Sequence, residues 1–258
     1  MTGMQSGGRI LCEPGRIARI VIDAPSSRNA MTAAMWAALP EVAARIAADP
    51  VTRVVILTGA GGTFCAGADI GEFAEVCATP ERAARYNATV RAGIGAISAL
   101  RRPVLARIEC ACFGGGVALA LACDLRFADA GATLAITPAR LGIAYSPADT
   151  QLVVRAVGAA RARDLLYSAR RVGAAEAAAI GLIDRLCPDG TLDPEIEGYA
   201  EGLAQLSPAS IAQAKATIEA LTAGRADPDI AAGFEALFVG PDFAEGRAAF
   251  LGRRPPRF

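Results

Sequence analysis

Two short runs of small residues carry the chemistry this sequence offers. Phe64-Cys65-Ala66-Gly67-Ala68-Asp69-Ile70 has nothing bulky between Phe64 and Ile70, so its backbone amides are open to a ligand atom. Phe113-Gly114-Gly115-Gly116-Val117-Ala118-Leu119 puts three glycines where a strand should end and a helix begin. There, N–H groups and the positive end of the helix face whatever lies in front of them. Either run alone reads as a tight turn or a packing turn. Together, about 50 residues apart and each following a buried apolar strand, they predict a pair of amides converging on one oxygen, the arrangement that holds an oxyanion.

The remaining chemistry is bounded by what the chain lacks. It contains no His, and Lys215 is its one Lys, so imidazole bases, Ser-His-Asp triads and His-ligated metals are excluded. A proton must move through Asp, Glu, Tyr, Cys, Lys215 or water. Basic and acidic residues balance at 26 each, which leaves no bulk charge to attract nucleic acid or an acidic membrane. Seven cysteines and a start at Met1-Thr2-Gly3-Met4 without an apolar leader point to a reducing, cytoplasmic setting. Cys110 and Cys112 have no second pair to complete a metal site and read as buried apolar thiols. Gly59-Ala60-Gly61-Gly62 after a strand invites a dinucleotide reading, but the third glycine of G-x-G-x-x-G falls on Phe64 and no phosphate-binding Lys follows. The apolar run from Phe113 to Cys123 is about half the length that spans a bilayer and reads as a buried core helix.

The elements that must position these loops follow from periodicity. Ile17 to Asp23 alternates as a strand, Pro25 to Ala30 is a loop, and Thr32 caps an amphipathic stretch from Ala33 to Ala47. Val54 to Thr58 is a continuous apolar strand. A helical stretch from about Pro80 to Leu100 leads to a second buried strand, Pro103 to Ile108, then the three glycines and a helix from Val117 to Ala122. Strands at Leu125 to Ala128 and Thr133 to Ile136 follow, then a loop from Pro138 to Pro147 and helices from about Ala148. The order suggests an α/β architecture. From about Glu195 the pattern is helical only, with starts at Ser207-Pro208 and Asp227-Pro228 and a basic end from Gly240 to Phe258, as in a subunit-interface appendage.

With these motifs in this order, the chain resembles the crotonase, or enoyl-CoA hydratase/isomerase, superfamily essentially end to end. Pro25 to Thr32 is similar to its P-x-x-x-N-A-x-T loop, Phe64 to Ile70 to its first oxyanion loop, and Phe113 to Asp124 to its glycine-rich helix. Thr137 to Ile143 resembles its third active-site segment, and Glu245 to Leu251 its C-terminal signature. The resemblance implies an α/β spiral of ββα units over 1–194 and a helical C-terminal trimerisation region over 195–258, assembled as a homotrimer or a hexamer. It implies an enzyme that takes coenzyme A as part of an acyl-CoA thioester substrate, with no permanently bound cofactor and no metal. Ala68 and Gly115 would supply the oxyanion hole, and Arg28, Ala66, Gly67, Asp69 and Ile70 would line the adenine and pantetheine. Phe250 and Arg253 would close over CoA, in their own or a neighbouring subunit, Arg253 meeting a phosphate, although it reads nearly as well as a solvated tail charge.

The resemblance breaks where hydratases of the family carry two glutamates. Those positions fall on Ala118 and Pro138, and neither residue can move a proton. Hydration needs a base for water and an acid for Cα, each worth roughly 10²- to 10⁴-fold. Three readings remain open. Other groups supply the protons, namely Tyr145 or Asp149, or Glu72 or Glu75, with Tyr145 equally an aromatic wall and the two glutamates equally a solvated helix face. Alternatively the reaction is decarboxylation of a malonyl-type thioester, which needs no base; Thr-Pro-x-x-Leu-Gly-x-x-Tyr ending at Tyr145 resembles family decarboxylases, although those often use His or Lys as well. In the last reading the chain binds acyl-CoA without turnover.

Overall fold

A computed structural model describes residues 7–224 and 228–258. Met1 to Met4 and the helix start expected at Asp227 lie outside the described residues. The chain opens with an antiparallel pair, β1 (Arg9–Glu13) and β2 (Ile17–Asp23), in which Arg9 stands opposite Asp23. Ala18, Ile20 and Ile22 of β2 are fully buried while the residues between them are not, as expected of a strand with one face on the core. Helix α1 (Ala33–Ala48) starts at Thr32, whose hydroxyl accepts the Met35 N–H. It leads to β3 (Val54–Gly59), whose first four residues are all buried, as in a strand covered on both faces.

Next come α2 (Phe73–Val76), α3 (Pro80–Ser98), β4 (Val104–Ile108), β5 (Ala111–Phe113) and α4 (Gly115–Leu121). They are followed by β6 (Leu125–Asp129), β7 (Thr133–Ala135) and α5 (Pro147–Ser168), which is broken at Gly158 by a φ of 77°. The rest is β8 (Arg171–Gly173), α6 (Ala174–Ile180), β9 (Arg185–Cys187), α7 (Leu192–Ala204), α8 (Pro208–Thr222), α9 (Pro228–Leu237) and α10 (Pro241–Leu251).

The strands form a six-stranded sheet, ordered β1-β2-β3-β4-β6-β9, and a three-stranded sheet, ordered β5-β7-β8. From β2 to β9 the large sheet is parallel. The chain steps from one sheet to the other and then into a helix, as in β4-β5-α4 and β6-β7-α5, which are the turns of a ββα spiral. One face of the large sheet packs Ile20, Ile22, Leu57 and Ala106 against Trp36 and Ile97 of α1 and α3. The other packs Val54, Ile56, Leu105 and Phe127 against Leu192, Ile196 and Ala200. Helix α7 spans the expected boundary near 195 and lies on the sheet, whereas α8 to α10 lie beyond it.

The sequence reading left out β1, β5, β8 and β9. The last three have three residues each, and neither β8 nor β9 lies in an apolar run like the one that marks the equally short β7. Cys110 also differs from expectation. Cys112 is buried, but Cys110 is exposed, because it sits at φ 57° in the bend that turns the chain from β4 into β5. No helix among the described residues is long and apolar enough to cross a membrane.

Candidate active site

The two small-residue loops lie side by side because β3 and β4 are parallel neighbours, the chain running from β3 into the first loop and from β4 by way of β5 into the second. They are also bonded directly to each other: Cys65 N–H donates to Ala111 O at 3.0 Å, and Phe113 N–H donates to Cys65 O at 2.9 Å. A β-carbon on Gly67 would stand 2.8 Å from Phe113 O, and φ there is +99°, so this crossing requires glycine. Gly114, at φ 49° and ψ −116°, turns the chain from β5 into α4. Behind the glycines, the Trp36 ring backs Gly115 and the Cys65 side chain backs Gly116.

The segment Arg28 to Met31 straps the first loop. Ala66 N–H donates to Arg28 O at 3.0 Å, Met31 N–H to Gly67 O at 2.7 Å, and Asp69 N–H to Met31 O at 2.9 Å. Gly67 N–H points at the Cys65 sulfur, 3.4 Å away. Among the described residues, Ala68 N–H and Gly115 N–H make no such bond, and a β-carbon on Gly115 would sit 3.8 Å from the Ala68 nitrogen. Two N–H groups without backbone partners therefore lie close together in a wall of small residues. The strap is itself pinned by Asn29, which is fully buried. Its amide accepts from Ala24 N–H at 2.9 Å and donates to Ala60 O at 2.8 Å and Thr63 O at 2.5 Å. Sequence reasoning gave Asn29 no role; the available signal was an Asn among small residues just after a strand.

The side chains around the loops divide clearly. Tyr145 is half-buried and its hydroxyl donates to Gly114 O at 3.0 Å; burial, then the charge of Asp149, hold the phenol proton well above its usual range. Asp149 lies one turn further on, in the first turn of α5. Its carboxylate accepts from the Ser146 hydroxyl at 2.6 Å, and burial raises its pKa against the opposing effects of Ser146 and Arg91. Glu72 is occupied as a cap, accepting the Ala33 N–H at 2.7 Å, and Glu75 is exposed beside Arg82. Ala118 is buried in α4, and Pro138 starts a single turn through Leu141.

The expected CoA-lining residues are only partly gathered. Arg28, at φ 54°, and Ala66, Gly67, Asp69 and Ile70 share one rim, with Ile70 exposed. Phe250 and Arg253 are not with them. Phe250 is 82% exposed, and the tail runs back so that Phe258 O meets Arg53, just before the start of β3 and at the far end of that strand from the loops.

Comparison with known proteins decides the family. The family model described as enoyl-CoA hydratase/isomerase matches residues 13–258. This chain belongs to the enoyl-CoA hydratase/isomerase family. A solved structure from Hyphomonas neptunium, described as of this family, is 38% identical, superposes with a TM-score of 0.93, and covers 96% of this chain and 97% of its own. A Thermus thermophilus protein described as a candidate enoyl-CoA hydratase is 34% identical over 95% of this chain and 98% of its own. An Arabidopsis thaliana relative, 29% identical over 93% of this chain and 91% of its own, is named a peroxisomal Delta(3,5)-Delta(2,4)-dienoyl-CoA isomerase. The chain is thus an enzyme of the hydratase/isomerase family, whose members act on CoA thioesters.

Proposed function

We propose that this enoyl-CoA hydratase/isomerase family member forms a thioester enolate, holds its oxygen between the Ala68 and Gly115 N–H groups, and moves one proton with Asp149. The observation that carries the reading is the pair of adjacent unpartnered amides at Ala68 and Gly115. Each such donor is worth roughly 10²- to 10³-fold in a comparable acyl site.

A single carboxylate suits an allylic shift better than hydration. Asp149 takes a proton from Cα of a 3-enoyl-CoA, the dienolate oxygen rests on the two amides, and the same proton returns to Cγ to give the 2-enoyl-CoA. No water is consumed. Hydration would need a second acid or base, and Ala118 and Pro138 stand where the resemblance places it. Tyr145 does not fill the gap, since its hydroxyl is bonded to Gly114 and its proton is held tightly. CoA would lie along Arg28 and Ala66 to Ile70. Because Phe250 and Arg253 lie at the other end of their own chain, they would reach CoA only from a neighbouring copy. A homotrimer or hexamer would supply that neighbour and cover Ile218, Leu221, Phe234 and Phe238, all exposed in one chain. Seven unpaired thiols fit a reducing compartment such as the cytoplasm.

The test offers 3-enoyl-CoA, crotonyl-CoA and methylmalonyl-CoA separately to the purified protein and follows each by mass. The expected result is conversion of the 3-enoyl-CoA without change of mass. Rapid gain of water by crotonyl-CoA would overturn the one-carboxylate reading, and loss of CO₂ from methylmalonyl-CoA alone would make the enzyme a decarboxylase. Tight binding with no turnover of any would leave a binding protein.

A further inference from the structure

The two donors proposed for the oxyanion hole share a feature that their own N–H groups do not reveal. A peptide unit joins the carbonyl of one residue to the N–H of the next, so the Ala68 N–H belongs to the same rigid group as Gly67 O, and the Gly115 N–H to the same group as Gly114 O. Both carbonyls are hydrogen-bonded at their far ends. Gly67 O accepts the Met31 N–H at 2.7 Å, a bond within the main chain, and the Cys65 thiol lies at a long 3.9 Å from it. Gly114 O accepts the Tyr145 hydroxyl at 3.0 Å, with the Val117 N–H at 3.0 Å and the Ala118 N–H at 3.4 Å. Hydrogen bonds in series polarise one another, so a donor at a peptide oxygen makes that peptide's N–H a stronger donor and fixes the plane in which it points.

Resting on the oxyanion-hole reading above, we infer that Tyr145 is a positioning residue: it bonds the oxygen of the Gly114-Gly115 peptide and thereby aims and strengthens the Gly115 N–H toward the thioester oxygen. Tyr145 does not touch the substrate carbon and transfers no proton. Its counterpart in the first loop is the main chain of Met31, which no side-chain substitution can remove. The second donor is therefore the one that a side-chain hydroxyl strengthens, beside the Val117 and Ala118 N–H groups on the same oxygen. The hydroxyl is suited to this, since burial and the nearby Asp149 keep it protonated over the working pH range.

The experiment uses the full-length protein with butanoyl-CoA isotope-labelled at the thioester carbon, and reads the carbonyl stretch of the bound thioester by infrared difference spectroscopy. In the unaltered protein the stretch is expected to fall on binding, the signature of polarisation. In Tyr145→Phe the fall is expected to shrink, kcat for the productive thioester to drop about three- to ten-fold, the effect of one hydrogen bond, and KM to stay within about two-fold. Replacing Tyr145 by 3-fluorotyrosine, a stronger donor of nearly the same shape, is expected to deepen the shift and preserve or raise kcat. This second variant keeps the test valid if Tyr145→Phe melts early. An unchanged stretch in Tyr145→Phe overturns the inference. So does a slower 3-fluorotyrosine enzyme with a new pH limb, which would mark Tyr145 as a proton donor. If butanoyl-CoA binds to the unaltered protein with no shift at all, the oxyanion hole itself fails, and the inference with it. A shift that is present but insensitive to residue 145 sinks only the inference.

Discussion

The peptide that carries the Ala68 N–H is held chiefly by main chain, whereas the peptide that carries the Gly115 N–H is held in part by a tyrosine hydroxyl. Around the first, Arg28 O, Met31 N–H and Met31 O account for the groups that flank Ala68, with the buried amide of Asn29 behind them. Around the second, the fixed turn at Gly114 is completed by the Tyr145 hydroxyl. Carboxylates divide the same way. Asp69 and Glu72, past the first loop, accept backbone N–H groups of Gly71 and Ala33. Asp149, beside the second, accepts the Ser146 hydroxyl and feels the charge of Arg91, yet burial leaves its pKa raised. The first loop is thus a scaffold that many sequences could keep, and the second is where reaction chemistry is adjusted by side chains.

The largest test of this division is Asp149→Asn. If Asp149 is the proton carrier, turnover should fall about 10²- to 10⁴-fold while acyl-CoA affinity changes little, as measured by kcat and by calorimetric titration. The pH dependence has a definite sign. Asp149 acts when ionised, and burial favours its neutral form, so activity should climb with pH along a limb displaced above the ordinary carboxylate range. Residual activity of Asp149→Asn should lack that limb. A limb that survives would move the chemistry to another group.

Next in size is Gly67→Ala, a change in the scaffold loop. The added carbon would meet Phe113 O at 2.8 Å in a conformation that already disfavours a side chain. The loops must separate, and the Ala68 N–H should lose its aim, costing about 10²-fold in kcat. Full activity would mean that the two loops are not the site.

Smaller in its effect on rate, but larger on stability, is Asn29→Asp. The carboxylate would still accept the Ala24 N–H, yet it would face Ala60 O and Thr63 O with no hydrogen to offer. Two part-buried carbonyls that lose their donor cost on the order of 2 kcal/mol, read by urea denaturation. The new carboxyl would hold its proton to higher pH in the folded than in the unfolded chain. The stability deficit should therefore deepen as pH rises and ease at low pH, where a protonated group can donate again. An unchanged urea midpoint at neutral pH would remove Asn29 from the strap.

Much of this arrangement was legible before any coordinates. The long apolar runs at Val54 to Thr58 and Pro103 to Ile108 announce buried strands, and Thr32 announces the helix it caps. The two loops show themselves by composition, because only small residues allow backbones to approach so closely. What composition hides is pairing. Nothing in the order of residues says that the Tyr145 hydroxyl meets Gly114 O, since the two are joined only when β7 returns the chain beside β5. The same holds for Glu72, which looked like a helix-face charge and turns out to cap α1 from 39 residues away. Short strands such as β8 and β9 exist only by virtue of the neighbours they pair with, so no local pattern predicts them.

The smallest expected effect concerns how far the two loops act as one body despite their different supports. Cys65 in the first and Cys112 before the second are paired through their backbones, and both are free thiols, fully buried, with burial pushing the Cys65 pKa up to about 12 and that of Cys112 also high. Cys77 and Cys110 are exposed. Brief treatment of the native protein with a maleimide, read by peptide mass spectrometry, should label Cys77 and Cys110 and spare Cys65 and Cys112 equally. A thiol reacts as its thiolate, so both solvent exclusion and the raised pKa protect the buried pair. In Tyr145→Phe the protection of both should fall together and by no more than about ten-fold, because one lost hydrogen bond changes a local opening equilibrium by roughly that factor. If Cys112 alone becomes reactive while Cys65 stays protected, the loops open separately, and the scaffold role belongs to the first loop alone.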